Sequence, residues 1–173
     1  MTHDGEFFQL DNARILPPPA VPIPIVIGGK GDSAVRRTAK YGDGWLGIFC
    51  SPRRFRDTRE QILGAAKELG RTPSDFSVNV WCGLDDDPAV AEELISAKMQ
   101  SMYHLPREKF QHVAPAGTPR QVAEWLAEFV SAGAQSITVI PVARSEDAGI
   151  DHAAAVRELL IGAHAETAIH SGA

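Results

Sequence analysis

An α/β fold of four parallel strand–helix units is what the sequence predicts, and three features predict it. Short apolar runs of strand length recur at 23–27, 45–49, 76–84 and 136–142. Each is followed by a longer segment with helix start and stop residues, and an extra helix precedes the fourth strand. Strands alternating with helices in this way imply a parallel sheet with right-handed crossovers.

Residues 1–21 read as an extended segment, because Pro17, Pro18 and Pro19 remove three consecutive backbone donors and forbid a helix. The run 23–27 is apolar at nearly every position, as suits a strand buried on both faces. Gly28-Gly29-Lys30-Gly31 follows, then Asp32-Ser33 and a short helix closed by Gly42. The second strand leads into Ser51-Pro52, an N-cap and N1 pair that opens a helix to about Leu69, with Gly70 ending it. After the third strand, Asp87-Pro88 caps a helix over 89–103, and 104–117 is a loop of weak pattern. Thr118-Pro119-Arg120-Gln121 is a capping box with proline at N1, and its helix stops at Gly133. The fourth strand precedes a last helix over 151–164. The expected organisation is an extended segment 1–21, one α/β domain over 22–165, and a flexible tail over 166–173.

The chain of 173 residues is long enough for one domain with a substantial core. Its 44% hydrophobic and 23% charged residues are a soluble, globular balance. A net charge of −5 with no basic stripe argues against a nucleic-acid partner. No apolar run approaches the roughly 20 residues that span a bilayer. The start MTHDGEFFQLDNARIL lacks a basic-then-apolar signal, so the expected location is cytoplasmic. Cys50 and Cys82 are too few and too far apart for a disulfide framework or a zinc site, and read as small buried hydrophobes.

The residues that carry chemistry are few. A glycine-rich turn between a strand and a helix suits an anion, because the backbone can approach closely and helix-start N–H groups point at it. Gly28, Gly29, Lys30 and Gly31 are therefore candidate phosphate contacts, with Lys30 adding a charge. The text GGKG is neither a dinucleotide fingerprint nor a Walker loop, so a plain strand-to-helix turn stays open. Arg144, just past the fourth strand, is a candidate anion contact or a surface arginine. Arg53, Arg54, Arg56 and Arg59 read as a solvated face pairing with Asp57 and Glu60. Asp85-Asp86-Asp87 reads as a capped, solvated helix start. No histidine pair or nucleophile signature marks a metal site or a covalent catalyst.

Taken together, the stretches at 4–6, 17–19, 25–29, 43–45 and 117–119, with Gly133 and Pro141, resemble the C-terminal half of luciferase-like monooxygenases. The resemblance runs over about residues 4–162. It implies half of a (β/α)8 TIM-type barrel in an oxidoreductase using FMN or the deazaflavin coenzyme F-420, with the cofactor phosphate near Gly28 and Gly29. It implies a structural turn at Asp43-Gly44-Trp45. No catalytic acid or base is assigned, since the family's first four strand–helix units have no counterpart here.

Half a barrel has a physical consequence. Same-handed crossovers put every helix on one face, leaving the concave face bare and, by expectation, mostly apolar. A flat face of roughly 300 Å² left wet forfeits about 8 kcal/mol at about 25 cal/mol per Å². Patches of that kind mark interfaces. The expected partners are a second copy of the chain or a separately encoded N-terminal half-barrel, with a small-molecule substrate. The functional alternatives are a cofactor-binding half of an oxidoreductase, a catalytically silent assembly or binding protein, and a truncated fragment.

Overall fold

The computed structural model describes residues 1–170, with side chains through residue 162. Two short strands, β1 (His3–Asp4) and β2 (Gln9–Leu10), pair antiparallel near the start. The body follows as β3 (Val26–Gly28), α1 (Asp32–Tyr41), β4 (Gly44–Ile48), α2 (Pro52–Glu68), β5 (Asp75–Leu84), α3 (Pro88–Tyr103), β6 (Ala116–Gly117), α4 (Pro119–Ser131), β7 (Ser136–Val142) and α5 (Glu146–His170). The starts of α2, α3 and α4 are those the sequence predicts. Ser51, Asp87 and Thr118 each accept a first-turn N–H, and Gln121 completes the capping box. The last helix begins at Glu146 rather than near 151, because Ser145 Oγ accepts the Ala148 N–H at 3.2 Å. It continues through His170, so of the expected tail only 171–173 lie outside the described residues.

All pairings of β3, β4, β5, β6 and β7 are parallel. The long strand β5 is central. Its residues 75–79 pair with β4 on one edge and 77–83 with β7 on the other. Short β6 pairs with Gly83 and Leu84 on the β4 edge, beyond the point where β4 ends. Alternate side chains of β5, namely Phe76, Val78, Val80, Cys82 and Leu84, are all buried in the main core. Trp45 from β4 joins that face. Its ring lies 5.4 Å from Phe55 of α2, and Phe55 lies 5.6 Å from Phe129 of α4. The helices α1, α2, α4 and α5 pack side by side over this outer face.

The opposite, concave face differs from expectation in two ways. First, it is apolar only in part, with polar rows toward the amino ends of β5 and β7 and with Trp81, Ile140 and Val142 beyond them. The register places Leu46, Ser77 and Ser136 in one row and Ile48, Asn79 and Thr138 in the next. Polar side chains on the central strand β5 and the edge strand β7 lower the cost of leaving these rows wet below the apolar figure. Second, α3 does not join the outer helices. A Cβ on Gly83 would meet Ile95 Cβ at 2.9 Å and run into the Ala91 carbonyl. Gly83 and Trp81 point away from the main core, so α3 lies over the carboxyl end of the concave face. There Ile95 and Met99 bury against Phe110 and Ala114, with Phe49, Trp81 and Tyr103 packed alongside.

The run 23–27 also departs from a strand buried on both faces. Only Val26–Gly28 is strand, it sits on the sheet edge, and Ile23, Ile25 and Val26 are exposed. With no strand on its outer side, β3 has β4 as its sole sheet neighbour among the described residues. Upstream of it every residue except Gly5 is exposed, including Phe7 and Phe8.

The turn Asp43-Gly44-Trp45 is a structural junction. Asp43 Oδ2 accepts the Ile25 N–H at 2.8 Å, and its backbone carbonyl accepts the N–H groups of Ser74 and Asp75. Arg71 approaches Asp43 Oδ1 at 3.6 Å and donates to the Ala39 carbonyl at 3.1 Å. Gly44 is where β4 crosses β5 closely, because a Cβ there would run into the Asp75 carbonyl oxygen. We therefore expect Gly44→Ala to cost roughly 1–3 kcal/mol by steric overpacking, read as a lowered denaturation midpoint with an unchanged slope.

At the other end of the sheet, Arg144 after β7 clips Asp85 after β5, with Nε to Oδ2 at 2.6 Å and Nη2 to Oδ1 at 3.3 Å. Asp85 also accepts the Asp87 N–H, and the Arg144 guanidinium holds its carboxyl below the usual range. A lowered folded pKa stabilises above the unfolded carboxyl value of about 3.9 and ceases to do so as pH falls through the folded value. Asp85→Asn is expected to be less stable than the parent at neutral pH. Denaturation curves at successively lower pH should show that gap closing below about 3.9.

Candidate functional site

Parallel sheets present their ligand loops beyond the carboxyl ends of the strands. There β3 and β4 end side by side, with Gly28 opposite Leu46. The loop after β3 turns through Gly29 at φ 112° and Gly31 at φ 73°, a left-handed backbone that side chains other than glycine rarely adopt. A Cβ on Gly28 or Gly31 would meet nothing within 4 Å, so the loop faces open space. Gly31 is the N-cap of α1 and no side chain caps that helix, which leaves its leading N–H groups for a ligand or water. The Trp45 indole Nε1–H donates to the Gly29 carbonyl at 3.0 Å and ties the loop to β4.

Next to the loop is a cavity of about 370 Å³, walled by Lys30, Gly31, Phe49, Cys50, Ser51 and Arg54 among others. It lies between the start of α1 and the start of α2. Two cations line it. Lys30 Nζ sits 5.5 Å from the Phe49 ring centroid, a cation–π placement that holds the ammonium at the mouth. Arg54 is in the first turn of α2, its N–H donating to Ser51 Oγ at 3.3 Å. Phe49 has φ 49°, strained backbone for an aromatic residue, and such strain gathers at ligand sites. Cys50 is a wall rather than a nucleophile. Burial pushes its thiol up to about 11 against the opposing pull of Lys30 and Arg54, so it is neutral near pH 7. Cys82, buried in the main core, is pushed up to about 12 by burial.

Of the four predicted loop residues, Lys30 and Gly31 line this cavity, while Gly28 and Gly29 precede it in the loop. Arg144 stands apart from them. Strands β4 and β5 separate β3 from β7, and its guanidinium is engaged by Asp85. Asp85 itself is buried rather than solvated, while Asp87 caps α3 as expected. The arginines of α2 divide three ways. Arg53 approaches Asp57 at 3.9 Å in solvent, Arg54 lines the cavity, and Arg59 lies inward with its guanidinium 5.2 Å from the Phe76 ring. Arg54 and Ser51 escape a reading of the first glycine loop alone. The signal for them was present, because Ser51-Pro52 repeats the strand–turn–helix-start arrangement one unit later, with Arg54 at N3.

The donor set fits a phosphate: open glycine backbone, two helix starts and two cations converge, with no carboxylate among the lining residues. The concave sheet face beside it offers Ser77, Asn79, Thr138 and Trp81. None of these exchanges protons near neutrality.

Comparison with known proteins bears on the family and the fold. Pyrimidine monooxygenase RutA of Yersinia enterocolitica is 28% identical over 139 residues, covering 77% of this chain and 32% of that protein. Among solved structures, an F-420-dependent secondary alcohol dehydrogenase in complex with an F-420–acetone adduct superposes with a TM-score of 0.77 at 18% identity. It covers 90% of this chain and 56% of its own. Riboflavin lyase RcaE, with modified FMN and riboflavin, gives a TM-score of 0.64 at 14% identity over 95% of this chain and 48% of its own. The chain therefore spans about a third of that curated relative and about half of each solved one. These structural likenesses establish a partial TIM-barrel-like fold. The family model for luciferase-like monooxygenases matches residues 1–111, and the chain belongs to that family.

Proposed function

We propose that this chain is the cofactor-phosphate-holding part of a flavin- or deazaflavin-dependent oxidoreductase barrel. The observation that carries the proposal is the cavity where Lys30, Gly31, Arg54 and two helix starts converge beyond the carboxyl ends of β3 and β4. A bound flavin or deazaflavin would supply hydride transfer, and a reduced flavin also oxygen activation. This chain's own residues act by position. The Gly29 and Gly31 region lets the backbone approach the phosphate, Lys30 and Arg54 balance its charge, and the Trp45 hydrogen bond holds the loop still. The concave side chains Ser77, Asn79 and Thr138 can donate and accept hydrogen bonds but supply no acid or base. On that observation, the chain by itself is a binding element, and any acid–base chemistry comes from further strand–helix units.

The free edges of β3 and β7 give those units a place to dock. Beside β7, an apolar cavity of about 980 Å³ lined by Ile137, Val139 and Leu160 widens that edge. The proposal assigns the companion to a second copy or to a separate N-terminal half-barrel. Light scattering of the purified chain at micromolar concentration, followed by native co-purification, distinguishes these. A mass of two chains supports the first, and a monomer that recovers a half-barrel partner supports the second.

Titration of the chain with FMN and with coenzyme F-420, followed by fluorescence, tests the cofactor reading. Saturable binding is expected. Lys30→Ala and Arg54→Ala should each weaken it about tenfold, the scale of one charge-assisted hydrogen bond. Absence of saturable binding of either cofactor at millimolar concentration refutes it.

A further inference from the structure

We propose that the cavity between the starts of α1 and α2 is matched to a dianionic phosphate monoester, and so prefers FMN to the singly charged phosphodiester of F-420. This inference rests on the cofactor reading above and deepens it. The argument is one of charge balance. Lys30 and Arg54 line the cavity and no carboxylate does. The starts of α1 and α2 each add about half a positive charge.

The negative groups nearby do not cancel this. Asp32 opens α1 but is not among the lining residues, and Asp57 on α2 is approached by Arg53. Cys50 stays neutral because burial raises its thiol to about 11. A monoanion would leave this positive surplus unmatched, whereas a dianion meets it. A terminal phosphate also offers three oxygens to the convergent donors, one more than the free oxygens of a diester.

The two cofactor classes differ in one measurable property. A phosphate monoester gains its second charge with a pKa near 6, while a phosphodiester has no ionisation in that region. The lining contains no histidine and no carboxylate. His112 precedes the lining residue Val113 and contacts Gln111. Because a charge at His112 would act more on a dianion than on a monoanion, the same titrations are run on His112→Asn, and the pH trend is expected to persist in that variant.

The experiment is equilibrium titration of the full chain with FMN, riboflavin and F-420 from about pH 5 to about pH 8, on either side of that second ionisation. At the upper end FMN should bind at least about tenfold more tightly than F-420, as one extra charge-assisted contact gives. The preference should shrink as pH falls through about 6. Arg54→Ala should weaken FMN more than F-420. Equal affinity, tighter F-420 binding, or a FMN-to-F-420 ratio flat across the range would overturn the inference while leaving the cofactor reading standing. Riboflavin binding as tightly as FMN, or failure of both cofactors to bind, would overturn the phosphate site itself and this inference with it.

Discussion

The double-edged pairing of β5 is the constraint on which the rest of the structure depends. Because β4 and β7 both hydrogen-bond to it, its alternate side chains fall into one unbroken apolar row from Phe76 to Leu84. The row gives α2, α4 and α5 a common surface. The same pairing sets β4 in register, with Trp45 opposite Phe76. A slip of one residue would turn Trp45 to the concave side, uncouple it from Phe55, and withdraw its indole from the glycine loop. Cavity and core are thus consequences of one strand register.

That register also explains why the two faces of the sheet differ. The outer face is a conventional core under four helices. The inner face mixes aliphatic and hydroxyl or amide side chains and is capped at one end by α3 and its aromatic neighbours. A sheet surface of this kind is neither a buried core nor an ordinary exterior. It is the inner face of a partial barrel-like sheet, and the chain spans about half of the solved structures it resembles.

Much of this was legible in the sequence. The proline-led helix starts at Ser51, Asp87 and Thr118 depend on local hydrogen bonds, so local pattern suffices to find them. The glycine loop was legible for the same reason: a turn between strand and helix needs left-handed backbone, and glycine supplies it. What stayed hidden was set by distant contacts. That α3 crosses to the concave side depends on Gly83 making room for Ile95, a relation between residues in different elements. Arg144 carried a cation in the right kind of place, but Asp85 claims it, 59 residues earlier in the chain. Arg54 was hidden among other arginines, since helical periodicity alone does not say which of them faces a neighbouring loop. The run 23–27 looked like an interior strand because composition reports apolarity, not whether a neighbour is at hand to cover it.

The bond from the Trp45 indole to the Gly29 carbonyl has a consequence for how an anion would be met. It anchors the most permissive part of the backbone to a side chain sunk in the interior. The ordering entropy of the loop is therefore incurred during folding rather than at capture. An anion bound at this mouth would then meet a loop already tied to the core, with less ordering left to be done at capture.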